Sequence, residues 1–258
     1  MLRVGSANTA HILEDLPRGC SCNVELCHTM KKALCVLSGG LDSAVNLAWG
    51  ATEFHLVEAI TFNYGQRAAK QEAAKSKLLC AHYNIPHRGI KLPFLAPWTE
   101  SPLVNRQRAL PALSATTLDN RKKTAASAKA VWVPNRNGVF LNVAASRAES
   151  LGASILLVGF NKEEGATFPD NSKAFIQAIN KSFFYSTLNH VIVRCRTTSL
   201  MKTEIVKLGL KLALPFQHLW SCYEGGKTMC GLCESCLRLK RALKNAAPAL
   251  LETLDFAH

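Results

Sequence analysis

The chain reads as an α/β protein: a Rossmann-like parallel sheet with helices on both faces, followed by a C-terminal zinc-binding helical segment. Three observations predict this. From Ala33 onward, short apolar runs alternate with stretches of helical periodicity. The apolar runs show no polar face, as strands covered on both sides require. Four cysteines fall within fifteen residues near the C-terminus.

The elements follow in order. Ala33–Leu37 predicts a buried strand and Leu41–Trp49 a helix. Leu56–Phe62 predicts a second strand, and Arg67–Tyr83, rich in Ala and Lys, a second helix. A third strand is expected near Arg88–Leu92. Leu141, Ala144, Ala145, Ala148 and Leu151 repeat at helical spacing and lead into a continuous apolar strand, Ala153–Gly159. Phe175, Ile179 and Phe183 mark another helix, Val191–Cys195 another strand, and Ile205, Leu208 and Leu212 a further helix. Between Pro93 and Val131 the pattern stops. Residues 105–136 carry seven Lys+Arg and one Asp, a balance of +6. So long a patternless stretch reads either as a mobile lid over a site or as a disordered insertion. Residues 1–29 read as a disordered leader, residues 30–215 as the main domain and residues 216–258 as the zinc-binding segment.

Composition narrows the class. Of 258 residues 48% are hydrophobic and 19% charged, which excludes a disordered or fibrous chain. No apolar run approaches the roughly 18 residues of a membrane-spanning helix. Residues 1–30 lack the apolar core and cleavage site of a secretory signal, so a cytoplasmic protein is expected. The net charge of +13 points to an anionic partner.

The sharpest motif is SGGLDS, Ser38–Ser43, placed directly after a strand and opening a helix. Gly39 and Gly40 let the backbone turn tightly, so that successive N–H groups and the helix N-terminus converge as a phosphate cradle. Ser38 and Ser43 add hydroxyl donors, and Asp42 would hold a Mg²⁺ bridging the phosphates. The bland alternative is a Gly-Gly turn in which Asp42 merely caps the helix. The strand-loop-helix context favours the phosphate site.

Cys222, Cys230, Cys233 and Cys236 form C-x7-C-x2-C-x2-C. The overlapping C-x2-C steps wrap three thiolates round a tight knuckle, and Cys222 completes a tetrahedron. Four sulfurs make a closed site, which suits one structural Zn²⁺ per chain. An iron–sulfur cluster is the rival metal centre. Cys35, Cys80 and Cys195 lie singly in apolar surroundings and read as small buried hydrophobes.

SGGxDS resembles the pyrophosphate loop of the N-type ATP pyrophosphatases. Further matches resemble the 7-cyano-7-deazaguanine synthase family in particular: TFNYGQR (Thr61–Arg67), VPNRN (Val133–Asn137), FPDNS (Phe168–Ser172), MKTEIVKLGL (Met201–Leu210), WSCYEGG (Trp220–Gly226) and CGLCESC. The resemblance runs collinearly over roughly residues 30–245. The family typically carries TFDYGQ and SGYPDCR; here Asn63 replaces the Asp, and ATFPDNS stands in the second place. The resemblance implies ATP binding along Leu37, Ser38, Gly39, Gly40, Leu41, Asp42, Ser43, Ala44, Val45, Asn46 and Leu47, with Asp42 and Lys202 as catalytic groups. Lys202, in a helix-opening MKTE, would reach the ATP phosphates. Arg136 and Asn137 are expected to meet nucleotide or substrate. Asp170 would meet Mg²⁺ or a ring amine, or else cap the next helix.

The activity implied is the ATP-dependent conversion of 7-carboxy-7-deazaguanine and ammonia into 7-cyano-7-deazaguanine, by a protein the family suggests is a homodimer. Two further readings stand beside it. One is a related adenylating enzyme acting on another deazapurine or thiolating tRNA. The other is a zinc-knuckle nucleic-acid-binding protein, against which the scattered charge and the aromatic content of 7% both argue, so no stable nucleic-acid partner is expected.

Overall fold

The computed structural model describes residues 30–257. Five parallel strands lie in the order β3-β2-β1-β4-β5: β1 Lys32–Val36, β2 His55–Asn63, β3 His87–Lys91, β4 Ile155–Leu157 and β5 Ile192–Arg194. Each of the five expected strands is present: β1 and β3 begin one residue earlier, β2 extends by one residue at each end, and β4 and β5 are shorter. In β1 the residues alternate between two cores. Ala33 and Cys35 join one hydrophobic cluster and Leu34 the other, and all three are fully buried. An apolar side chain on every strand position is therefore what a sheet covered on both faces demands.

The helices divide between the two faces. The first face carries α1 (Leu41–Glu53), α2 (Ala69–His82), α7 (Lys202–Lys211) and α8 (Glu234–Ala246); these supply Leu47, Leu79, Ile205 and Leu243 to its cluster. The second face carries α4 (Arg136–Ser150) and α6 (Lys173–Ser186), which supply Leu141, Ala145 and Phe183. Residues 216–258, read from the sequence as a separate segment, share the first cluster through Leu219, Trp220, Leu239 and Leu243. Helix α8 looks basic in sequence, but Leu239, Ala242 and Leu243 form a buried stripe that packs beside α7.

The stretch between Pro93 and Val131 corrects the sequence reading. It contains a 3-10 turn over Pro93–Trp98 and the helix α3, Arg121–Ala130. The α3 sequence RKKTAASAKA offers alanine as its only apolar residue, so no hydrophobic period is visible. Its start is marked instead by Asn120, whose side chain accepts the Lys123 N–H at 3.1 Å. The predicted leader, residues 1–29 with Cys20, Cys22 and Cys27, lies outside the described residues.

The chain passes from β1 to β2 and β3 on one side, then crosses to β4 and β5 on the other. The crevice beyond the C-terminal ends of β1 and β4 is the topological switch point where open α/β sheets take ligands. Both the 38–43 loop after β1 and the residues after β4, including the short helix α5 (Lys162–Gly165), stand there.

Candidate active site

The loop after β1 is organised by its two serines. Ser43 Oγ accepts the Ser38 N–H at 3.2 Å and lies 3.1 Å from Ser38 Oγ. Ser38 Oγ in turn accepts the Gly40 N–H at 3.3 Å. Gly39 holds φ +76°, a left-handed conformation that glycine adopts without cost. The loop backs onto the chain just after β4, where a Cβ on Gly159 would sit 2.3 Å from Ser43 N. No residue but glycine fits at that approach.

Asp42 and Lys202 meet across the switch point. Lys202 Nζ donates to Asp42 Oδ2 at 2.9 Å and to Glu164 Oε1 at 3.0 Å. Asn161, the N-cap of α5, donates to the same Asp42 Oδ2 at 3.0 Å. Lys202 and Asp42 are only 5% and 8% exposed, so each charge depends on its partners. Burial disfavours the charged ammonium, but Asp42 and Glu164 outweigh it and hold Lys202 well above its ordinary value. Burial also pushes Glu164 up; the Lys202 charge and hydrogen bonds overcome it and leave Glu164 lowered. For Asp42 burial prevails over Lys202 and the carboxyl is raised. The reason is visible in its other oxygen: Asp42 Oδ1 is buried and has no hydrogen-bond partner. An orphaned carboxylate oxygen beside a phosphate-type loop fits a hard cation such as Mg²⁺.

These groups open into one cavity of about 240 Å³. Leu37, Ser38, Gly40, Leu41, Asp42 and Ser43 line it, as do Lys202, Arg136 and Asn137. Gly39 supports the turn from outside the lining. Ala44, Val45 and Leu47 belong to the hydrophobic core beneath the loop, and Asn46 donates to Thr197 Oγ1 at 2.7 Å. The structure therefore brings together the first half of the expected ATP stretch and not the second. From the 168–172 segment the cavity takes Phe168 and Asn171 rather than Asp170, whose Oδ1 accepts from Asn171 Nδ2 at 3.2 Å. Arg136 donates to the Tyr64 hydroxyl at 3.1 Å and lies over its ring at 5.7 Å. Phe140 stacks on Phe62 with centroids 4.4 Å apart, giving the wall beside Arg136 a flat apolar surface.

Sequence reasoning missed Glu164, Asn161, Gly159, Glu72 and the aromatic wall. For the first three a signal existed, in the GFNKEE that follows an apolar strand. Phe62 and Tyr64 lie within the TFNYGQR stretch, whereas Phe140 and Glu72 carry no local mark, because β2 and α4 meet only in the fold.

The four cysteines converge as their spacing implied. Their Sγ atoms lie within 4.8 Å of one another, with Cys230 and Cys236 at 4.0 Å. A tetrahedral zinc with bonds near 2.3 Å sets sulfur–sulfur distances at about 3.8 Å. Cys222 Sγ accepts N–H bonds from Glu224 and Cys230 at 3.3 Å each, and Cys230 Sγ accepts from Leu232 at 3.4 Å and Cys233 at 3.3 Å. Gly231 makes the turn with φ +74°. Sulfurs surrounded by backbone donors suit thiolates, and the cluster can hold a metal ion. It adjoins the cavity, which Cys222 and Tyr223 help to line.

The family model described as "Queuosine biosynthesis protein QueC" matches residues 32–247. A 7-cyano-7-deazaguanine synthase of Bdellovibrio bacteriovorus is 50% identical over 218 residues, covering 84% of this chain and 94% of the relative. One of Carboxydothermus hydrogenoformans is 50% identical over 213 residues, covering 83% and 98%. The protein of that name in Methanosarcina mazei is 50% identical over 217 residues, covering 83% and 94%. With the pyrophosphate-type loop, the cysteine cluster and the sheet in their expected places, the chain belongs to the QueC family of queuosine biosynthesis proteins.

Proposed function

We propose that this protein converts 7-carboxy-7-deazaguanine and ammonia into 7-cyano-7-deazaguanine with cleavage of ATP to AMP and pyrophosphate. The family membership and the names of its relatives support the activity. The observation that carries the chemistry is one cavity lined by the 38–43 loop, by Lys202 and Asp42 with its unpartnered Oδ1, and by Arg136 and Phe140.

A carboxylate is a poor electrophile because an oxide would have to leave. Its oxygen attacks the α-phosphorus of ATP, pyrophosphate departs, and the acyl adenylate now carries AMP as leaving group. Ammonia displaces AMP and gives the amide. The amide oxygen takes a second adenylyl group from a second ATP, and loss of AMP and two protons leaves the nitrile. Two oxygens leave, so two activations are needed.

The chain's part is positioning and charge stabilisation. The 38–43 N–H groups and Lys202 face the departing pyrophosphate, while Arg136 and the aromatic wall hold the ring. Asp42 Oδ1, with Glu164 nearby, would hold Mg²⁺, which when bound would supply positive charge against the negative charge of the phosphates. Zn²⁺ on the four cysteines would be structural. Incubation with 7-carboxy-7-deazaguanine, ATP and ammonia should yield the nitrile by mass spectrometry. Asp42→Asn should keep the fold and lower ATP–pyrophosphate exchange on the order of 10²–10³-fold. Absence of product from that substrate, with exchange elicited by tRNA or another deazapurine, would replace the substrate assignment.

A further inference from the structure

One carboxylate in the cavity has no part in the phosphate chemistry. Glu72 stands in the first turn of α2 and lines the cavity. Its Oε2 accepts from Gln66 Nε2 at 2.7 Å. Gln66 is itself locked, since its Oε1 accepts the Tyr64 N–H at 2.9 Å and its Nε2 also donates to the Phe62 carbonyl at 2.9 Å. The carboxylate is thus held in one orientation, and Oε1 has no hydrogen-bond partner among the described residues. Burial pushes the Glu72 carboxyl above its ordinary value, against the Gln66 hydrogen bond and the Arg136 charge. Oε1 is left open to donors from the cavity that Glu72 lines.

The surroundings say what those donors are. A fixed negative charge facing the polyphosphate would oppose binding there, so Glu72 suits the other ligand. Phe62 and Tyr64, whose backbone carbonyl and N–H Gln66 bonds, carry the rings that pack on Phe140. Glu72 lines the same cavity as these rings, so its carboxylate shares that cavity with a flat aromatic wall. We propose that Glu72 is the specificity-determining acceptor for the adjacent ring N–H and exocyclic amine of a guanine-type edge, with Gln66 as its positioning residue. Each carboxylate oxygen has two acceptor sites, so Oε2 can keep Gln66 while both oxygens receive the ring. This inference rests on the proposed deazaguanine substrate.

Glu72→Gln keeps size and shape but turns a donor toward donors. The KM for 7-carboxy-7-deazaguanine should rise about 100-fold, with the KM for ATP changed less than about twofold and an unaltered melting temperature. Wild type should lose as much on the analogue lacking the 2-amino group, and the two penalties should not add. A rise in the ATP KM instead would place the carboxylate against the nucleotide and overturn the proposal. So would equal use of the two ring substrates by wild type, or additive penalties. Calorimetry with 7-deazaguanine on wild type and Glu72→Gln reads the contact without turnover; equal affinity there refutes it. A wild type inert toward 7-carboxy-7-deazaguanine would sink the activity assignment, while this binding comparison would still decide the role of Glu72.

Discussion

Gly159 bears no functional group, yet it decides whether the phosphate-type loop can lie where it does. A Cβ there would meet Ser43 N at 2.3 Å and Ser43 Cα at 2.5 Å, both backbone atoms that cannot swing aside. Ser43 holds the loop through its hydroxyl, so a displaced Ser43 displaces the cradle. Gly159→Ala is expected to cost about 1–3 kcal/mol of stability through overpacking. It should also raise the KM for ATP by at least about tenfold. Thermal melts and ATP titrations check the two effects separately. The same scale explains the Lys202 triad. Lys202 stays charged in the interior because two carboxylates face it, whereas Asp42 keeps one oxygen without a partner.

Between elements, the metal-type knuckle and Lys202 are joined by an ion network. Helix α8 begins beside Cys233 and carries Arg238 and Arg241, and both donate to Glu163 Oε2 at 2.9 Å. Glu163 Oε1 accepts the Lys202 backbone N–H at 2.9 Å, and the next residue, Glu164, binds the Lys202 side chain. The start of α7 is thereby fixed to α5 and α8 together. A second network ties strands to a helix on the far face: Glu58 of β2 accepts from Arg88 of β3 and Arg147 of α4, at 2.8 Å each. The Arg147 hydrogen bonds, with those of Arg88, outweigh burial and hold Glu58 below the ordinary glutamate value of 4.5. A lowered folded-state value means stability present above about pH 4.5 and lost as pH falls through the folded value. Glu58→Gln should lower the melting temperature at pH 7 by ~2–4 °C. Its melting temperature should then fall less than that of wild type between about pH 5 and pH 3, as melts across that range would register. A parallel decline in both proteins would show that Glu58 is not a source of acid sensitivity.

For the whole molecule, the cysteine cluster closes the C-terminal part onto the sheet. Its neighbour Met229 pairs with Phe256, and Ala257 N–H returns to the Met229 carbonyl at 2.8 Å. Cys222 touches the cavity while Cys236, in the first turn of α8, is fully buried, so loss of a metal held there would loosen core and site together. Cys233→Ser is expected to leave metal content well below one ion per chain. Its melting temperature should drop, and its activity should decline in step with that instability. Elemental analysis decides between zinc and iron in the wild type. Full metal and stability with no activity would make Cys233 a reacting group.

How much of this was legible beforehand follows from the range of the forces involved. The five strands, the alternation with helices, the 38–43 loop and the four cysteines are written locally. Periodicity, glycine turns and ligand spacing act over a few residues, and the sequence by itself determined them. Helix α3 escaped notice because alanine and lysine leave no hydrophobic stripe. Only the tertiary structure decided that Asp42 meets Lys202 and Asn161, that Asp170 stands back from the cavity, and that Glu72 faces it. Those pairings join residues up to 160 positions apart. Their energies depend on burial and mutual distance, which exist only once the sheet has brought its C-terminal edges to one crevice.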